Sequence, residues 1–540
     1  MIVGSPFGFG SGGGMRSVGT ILALVVLATM VATFARRWRI PAPSLLVVAG
    51  LAVALLPGTP QIEVSPEVIG LVVLPPLLYA SAEELSWREL RLVWKPVGVL
   101  AVGLVLASAA AVGVVASLVT PLSWPMALVL GAVLASTDPV AVTALGRRLS
   151  LPPRVQVLVQ AESLFNDATS LVLFRVAVTV AVASAAADWQ TATGEFALLA
   201  GGGTLVGAAL AWTVTLIRRR TEDPVLETVT ALVTPYAAYV LAETAHTSGV
   251  TSVVVAGVIL GGRADRLTTA PIRLQLHAVY GTVVFLLESV VFSLIGLALP
   301  AQVRSLTADD RAWPLYALAI AVTLVAVRLL WLAPLSAVVQ HKGGVSRVNW
   351  QVPMVLTWAG TRGVVPLAAA LSIPVVADNG TPLTQRPLVL VLTTSVVVVT
   401  LVVQGFTLAP VVRRSGIALE PEHTAREEAA ARSRLAGAGL RRLEDMADLE
   451  AVPDVVLDRL RRGLAARLES AQDRLTDTGG DGQGPGRESA DHVYRQLRRD
   501  LIEVEAAELQ RLYEEHDISD TTRRKLQRSL DLEEARLTGA

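Results

Sequence analysis

The chain has 540 residues, 52% of them apolar and only 17% charged, and it contains no cysteine. A soluble globule carries nearer a quarter of charged residues, so the composition excludes an ordinary soluble protein, and the missing thiols exclude disulfide frameworks, thiol nucleophiles, zinc-thiolate and iron–sulfur sites. The formal net charge is zero but unevenly spread: residues 1–414 hold 26 Lys and Arg against 19 Asp and Glu, and residues 415–540 hold 20 against 27.

Gly8, Gly10 and Gly13 have the G-x-G-x-x-G spacing, but no strand precedes them and an apolar helix follows, so the segment reads as a flexible leader and not as a dinucleotide loop. Thirteen apolar runs come next, near 17–35, 43–57, 66–82, 93–119, 124–146, 155–187, 195–217, 226–244, 249–262, 275–299, 312–339, 350–376 and 387–412. About 20 such residues cross a bilayer as helix. The first run reads as a membrane helix and not as a cleaved signal peptide, because Arg36, Arg37 and Arg39 behind it are expected to act as a cytoplasmic stop. Basic residues collect in alternate loops, 19 on one side against 4 on the other. By the positive-inside rule this predicts thirteen helices with the N-terminus outside and the C-terminus in the cytoplasm.

From residue 415 onward the chain is charged and rich in Ala, Leu, Arg and Glu, with a Gly-rich interruption near 478–490. This reads as two helical blocks joined by a flexible linker, forming a cytoplasmic tail. The stripe Leu497, Leu501, Val504, Leu509 and Leu512 is expected to pack within the tail's own bundle. No basic patch with interleaved aromatics occurs in either part, so nucleic acid is not an expected partner.

Six ionisable residues fall inside the apolar runs: Asp138, Glu162, Asp167, Glu288, Arg328 and Arg362. Each is costly at bilayer depth and must be compensated by pairing, water or ion contact. Arg175, farther along its run, is expected to reach an interface. On a helix, Glu162, Ser163, Asn166 and Asp167 share one face, a row of oxygen donors suited to hard monovalent cations. A polar seam between packed helices would use the same face, although two carboxylates argue against it. Run 5 contains Ser136-Thr137-Asp138-Pro139 and run 12 contains Gly360-Thr361-Arg362-Gly363 before Pro366. Proline in mid-span predicts that both helices are broken. Two interrupted helices in corresponding positions, an odd number of runs apart, point to inverted repeats with a substrate site between them.

On Ser136-Thr137-Asp138-Pro139, Glu162-Ser163-Leu164-Phe165-Asn166-Asp167 and Gly360-Thr361-Arg362-Gly363, in this order and on these helices, the chain resembles the monovalent cation:proton antiporters, specifically the sodium/proton exchanger branch. The resemblance implies an all-α polytopic membrane protein of about 13 transmembrane helices in two inverted repeats with broken crossing helices, plus the helical tail. It further implies a homodimer in the cell membrane, an ion-translocating core that moves against a dimerisation domain, and a role in pH homeostasis. The implied activity is exchange of a monovalent cation, Na+ first with Li+ or K+ open, for H+. No cofactor is implied beyond the transported Na+ and H+. Asp167 is the implied carboxylate for cation or proton, Asn166 its neighbour, Ser163 and Thr137 cation ligands, with Asp138 beside them. Glu162 resembles an acid that pairs with Arg362; Arg328 and Glu288 complete the compensating charges. Asparagine at position 166 resembles exchangers that move no net charge. The partners expected are membrane lipid, a second copy, and a cytoplasmic regulator of the tail.

Two other classes fit less well. A gated cation channel would use rings of carbonyls or charges from several subunits. An intramembrane hydrolase would need a nucleophile arrangement, and the chain has neither cysteine nor a G-x-S-x-G elbow, so no enzymatic role is expected.

Overall fold

A computed structural model describes residues 13–38, 41–57, 69–85, 87–138, 153–182, 189–221, 223–263, 270–307, 310–342, 350–377, 380–416, 421–449 and 454–477, with scattered positions between 496 and 534. The glycines at 8 and 10, Pro139 with the loop after it, and the 478–490 linker lie outside the described residues.

The described part is helical, with no strand beyond one isolated bridge between Val376 and Pro382. In chain order the helices are α1 (Gly13–Trp38), α2 (Ala42–Ala54), α3 (Leu74–Glu83, entered through a π turn at Ile69–Val73), α4 (Trp87–Gly98), α5 (Val105–Val119), α6 (Trp124–Leu134), α7 (Pro153–Val182), α8 (Trp189–Arg218), α9 (Pro224–Thr244), α10 (Gly249–Gly261), α11 (Ala270–Arg304), α12 (Trp313–Lys342), α13 (Gln351–Trp358), α14 (Val364–Leu371), α15 (Arg386–Ser415), α16 (Pro421–Leu449) and α17 (Asp454–Asp477). A π-helical turn at Val99–Leu104 joins α4 to α5 without a break. Seven helical spans among the described residues are long and apolar enough to cross a membrane, and five shorter apolar helices accompany them.

The chain divides into Met1–Leu419 and Glu420–Ala540. In the first unit polarity is arranged for lipid. Leu22, Val26, Met30 and Phe34 on α1, Leu205 and Trp212 on α8, Val229 and Val233 on α9, and Leu315, Leu318 and Val322 on α12 are exposed apolar residues at three- to seven-residue spacing. Glu162, Asp167, Arg328 and Arg362 are buried. Such a surface suits a medium that offers no hydrogen bonds, with every backbone group satisfied inside its helix.

Two sets of helices pack within this unit. In one, α2 lies against α11, α10 against α3 and α8, and α9 against α10 and α11; in the other, α5 packs on α6, α6 on α7, and α12 on α5, α13 and α15. In the second unit α16 and α17 pack on each other, burying Ala429, Ala436, Leu443, Leu457 and Ala471. The apolar stripe expected to be internal there is only partly so: Leu509 is buried, Leu501 and Val504 are exposed, and Leu497 lies outside the described residues.

Candidate functional site

The runs that carry Pro139 and Pro366 are both interrupted, whereas Pro235 and Pro334 sit inside continuous helices. Helix α6 ends at Leu134, and Ser136 to Asp138 leave helical geometry. Helix α13 ends at Trp358, and α14 begins only at Val364. The breaks are stitched to each other: the Asp138 backbone N–H donates to the Thr361 carbonyl at 2.8 Å, and the Thr361 hydroxyl donates to the Asp138 carbonyl at 2.8 Å. Gly363 makes this approach possible, because a Cβ there would run into the Asp138 carboxylate.

Each break also sets a charge against a half-helix end. The Arg362 guanidinium donates to the carbonyl of Ala135 at 3.1 Å and to that of Ser136, satisfying acceptors at the C-terminal end of α6, where a positive charge is favoured. Asp138 lies against the N-terminal end of α14, where a negative charge is favoured for the same reason.

The polar face of α7 meets the first break. Ser163 donates to the Thr137 carbonyl. Asn166 accepts from the Thr137 N–H at 3.3 Å and donates to its hydroxyl at 2.6 Å. Ser170 donates to the Ala132 carbonyl at 2.7 Å. Glu162 sits at the other end of this face and forms a two-bond ion pair with Arg328, at 2.6 and 2.8 Å. The Arg328 Nε–H donates to the Leu356 carbonyl at 3.0 Å, and the absence of a side chain at Gly360 leaves room for this arginine. This corrects the pairing expected from the sequence: the partner of Glu162 is Arg328, and Arg362 serves backbone carbonyls freed by the break.

Asp167, 7% exposed, lines a cavity of about 70 Å³, enough for a cation with water. On its own wall stand Ser136, Thr137, Asp138 and the start of α14; the opposite wall is Leu74, Leu77, Leu78 and Ser81 of α3 with Val284, Glu288 and Phe292 of α11. Thus Asp167, Asp138, Thr137 and Glu288 come together around one space, whereas Ser163 and Asn166 do not line it and instead brace Thr137. Ser136 and Ser81 are the additional polar residues of the lining. Ser136 stood within the quoted motif and so had a signal, while Ser81 lies in an apolar run with nothing to mark it. Among the described residues no group of three or more His, Cys, Asp or Glu is arranged to chelate a metal ion. Arg175, expected at an interface, forms an ion pair with Glu243 of α9, both about one-third exposed.

A sequence model of the family "sodium/hydrogen exchanger, transmembrane" matches residues 22–414. An uncharacterized Na+/H+ exchanger of Mycobacterium tuberculosis is 32% identical over 97% of this chain and 98% of its own length. The Na+/H+ antiporter ApNhaP of Aphanothece halophytica is 33% identical over 73% of each chain. The structure of the sodium proton antiporter MjNhaP1 from Methanocaldococcus jannaschii superimposes with a TM-score of 0.62 at 21% identity, covering 74% of this chain and 99% of that one, so the two share a fold. From the match across its apolar part and the similarity to full-length relatives, the chain belongs to the sodium/hydrogen exchanger family of multi-pass membrane transporters.

Proposed function

We propose that the protein exchanges Na+ for H+ across the cell membrane, one for one and without net charge movement, by alternating access with the two ions competing for Asp167. The observation that carries this reading is the placement of Asp167: a buried carboxylate on a cavity of about 70 Å³, at the crossing of two broken helices. Arg328 pairs with Glu162, and the Arg362 guanidinium donates to the carbonyls of Ala135 and Ser136. A bare carboxylate in that setting is costly, so it is neutralised by a proton or by a cation, and one excludes the other. If the helices that carry it cross between the two faces only when it is neutral, each passage moves one ion, and exchange follows. Thr137, Asp138 and the adjacent carbonyls complete the coordination, and Ser163 and Asn166 hold Thr137 in place. The architecture that goes with this is thirteen helices in two inverted repeats, N-terminus outside and tail inside, working as a homodimer.

The test is proton flux in proteoliposomes with an acidic lumen, adding Na+, Li+ or K+ outside with the membrane potential clamped and then released. Cation-dependent alkalinisation that ignores the potential, and that falls to the level of empty vesicles in Asp167→Asn, is the expected result. A response to K+ above that to Na+ reassigns the chain as a K+/H+ antiporter of the same fold. A potential-driven current without proton coupling overturns the reading in favour of a channel.

A further inference from the structure

The two walls of the cavity are carried by different helices. Asp167 and Asp138 stand on the helices tied together at the break. Glu288 stands on α11, which packs chiefly on α2, less on α15 and only slightly on α14. Apart from Ser81, the rest of that wall is apolar, so Glu288 is its one carboxylate. Across the cavity from Glu288 stand Asp138 and Asp167, both acids, and the two arginines nearest the break are engaged elsewhere. Three carboxylates therefore face one space whose lining includes no basic residue.

A second observation says that this space is built for a ligand. The Ser136 side chain is 0% exposed, lies beside the Asp167 carboxylate and opens on the cavity, yet its hydroxyl makes no hydrogen bond of normal geometry among the described residues. A buried hydroxyl left in that condition is costly unless something in the cavity engages it.

We propose that Glu288 sets the affinity for the entering cation at one face of the membrane only. Its charge holds the cation, through water, from the wall opposite Asp167. When the helices bearing Asp167 move to the other face, Glu288 stays with α11 and no longer contributes. This rests on the alternating-access reading above. Because the ion gradients alone fix the end point of exchange, the loaded crossing step compensates, and removing the Glu288 charge leaves the final gradient unchanged while altering how much cation half-saturates one side.

The experiment uses the full chain reconstituted in one orientation, with Na+ as probe and KM measured separately from each side. Glu288→Gln is expected to raise KM by roughly tenfold on one side and to change it by less than about twofold on the other, the size expected for one charge acting across a hydrated gap. An equal rise on both sides, or no rise on either, overturns the proposal. If Glu288→Gln does not insert, Glu288→Asp, which keeps the charge on a shorter arm, is read in the same way for a smaller one-sided shift. Asp167→Asn is run in parallel. Exchange that survives in that variant overturns the role of Asp167 itself, whereas a silent Asp167→Asn with a symmetric or absent effect at Glu288 overturns only the present inference.

Discussion

Arg328 with Glu162 and Arg511 with Glu508 are the same chemical pair in two settings. In each, a guanidinium meets a carboxylate through two bonds, 2.6 and 2.8 Å long in the first and 2.6 and 2.9 Å in the second. The first pair is 3% and 1% exposed and the second 56% and 52%. Geometry does not distinguish them; surroundings do. Water and salt screen the tail pair until little is left of its attraction. In the membrane unit each charge has lost its hydration and depends on the other, so the pair adds little net stability but becomes indispensable once formed. The hydrogen bonds from Arg511 hold the Glu508 carboxyl below its ordinary range. A carboxyl lowered in this way favours the folded tail above its unfolded pKa and loses that contribution as pH falls through the folded value, but on an exposed pair the contribution is slight.

The largest effect is therefore expected at Arg328. Arg328→Ala leaves Glu162 buried and unpaired and should lower the stability of the membrane unit by about 3–5 kcal/mol, read as thermal unfolding in detergent. Adding Glu162→Gln should recover part of the loss. The same second substitution should not rescue Arg362→Ala, and rescue there would mean that Arg362 is the true partner. A middle-sized effect is expected from Gly363→Ala, whose methyl group competes with the Asp138 carboxylate. A loss of about 1–3 kcal/mol is the usual result of overpacking, and exchange should fall with it; unchanged exchange would show that the crossing is looser than its contacts. The smallest is Arg511→Ala, for which no shift in the unfolding of the tail is expected. A clear shift would erase the contrast between the two settings.

Much of this was legible in the sequence. Each apolar run overlaps a helix, and prolines at 139 and 366 together with glycines at 360 and 363 marked both interruptions. The face shared by Glu162, Ser163, Asn166 and Asp167 was also readable, because a helix repeats every 3.6 residues. What the wheel leaves out is what that face meets. Two arginines lie on neighbouring runs, and charge balance alone does not say which reaches Glu162; that choice depends on carbonyls released at Ala135 and Ser136, which exist only once the helix is broken. Likewise Ser163 and Asn166 have donors and acceptors that suit a cation equally well as an unwound threonine. Ser81 and the apolar wall of α3 carried no signal, because a cavity is a property of two surfaces and a sequence presents one at a time.

The long reach of the buried pair bears on how the chain is made. Arg328 follows Glu162 by 166 residues, and at roughly 5–20 residues per second a ribosome needs about ten to thirty seconds to cover that interval. For that time the newly inserted first half holds an acid in the bilayer whose partner has not yet been synthesised. The early helices must wait with Glu162 protonated, hydrated or sheltered by the insertion machinery, and the second half completes the first by delivering its missing cation.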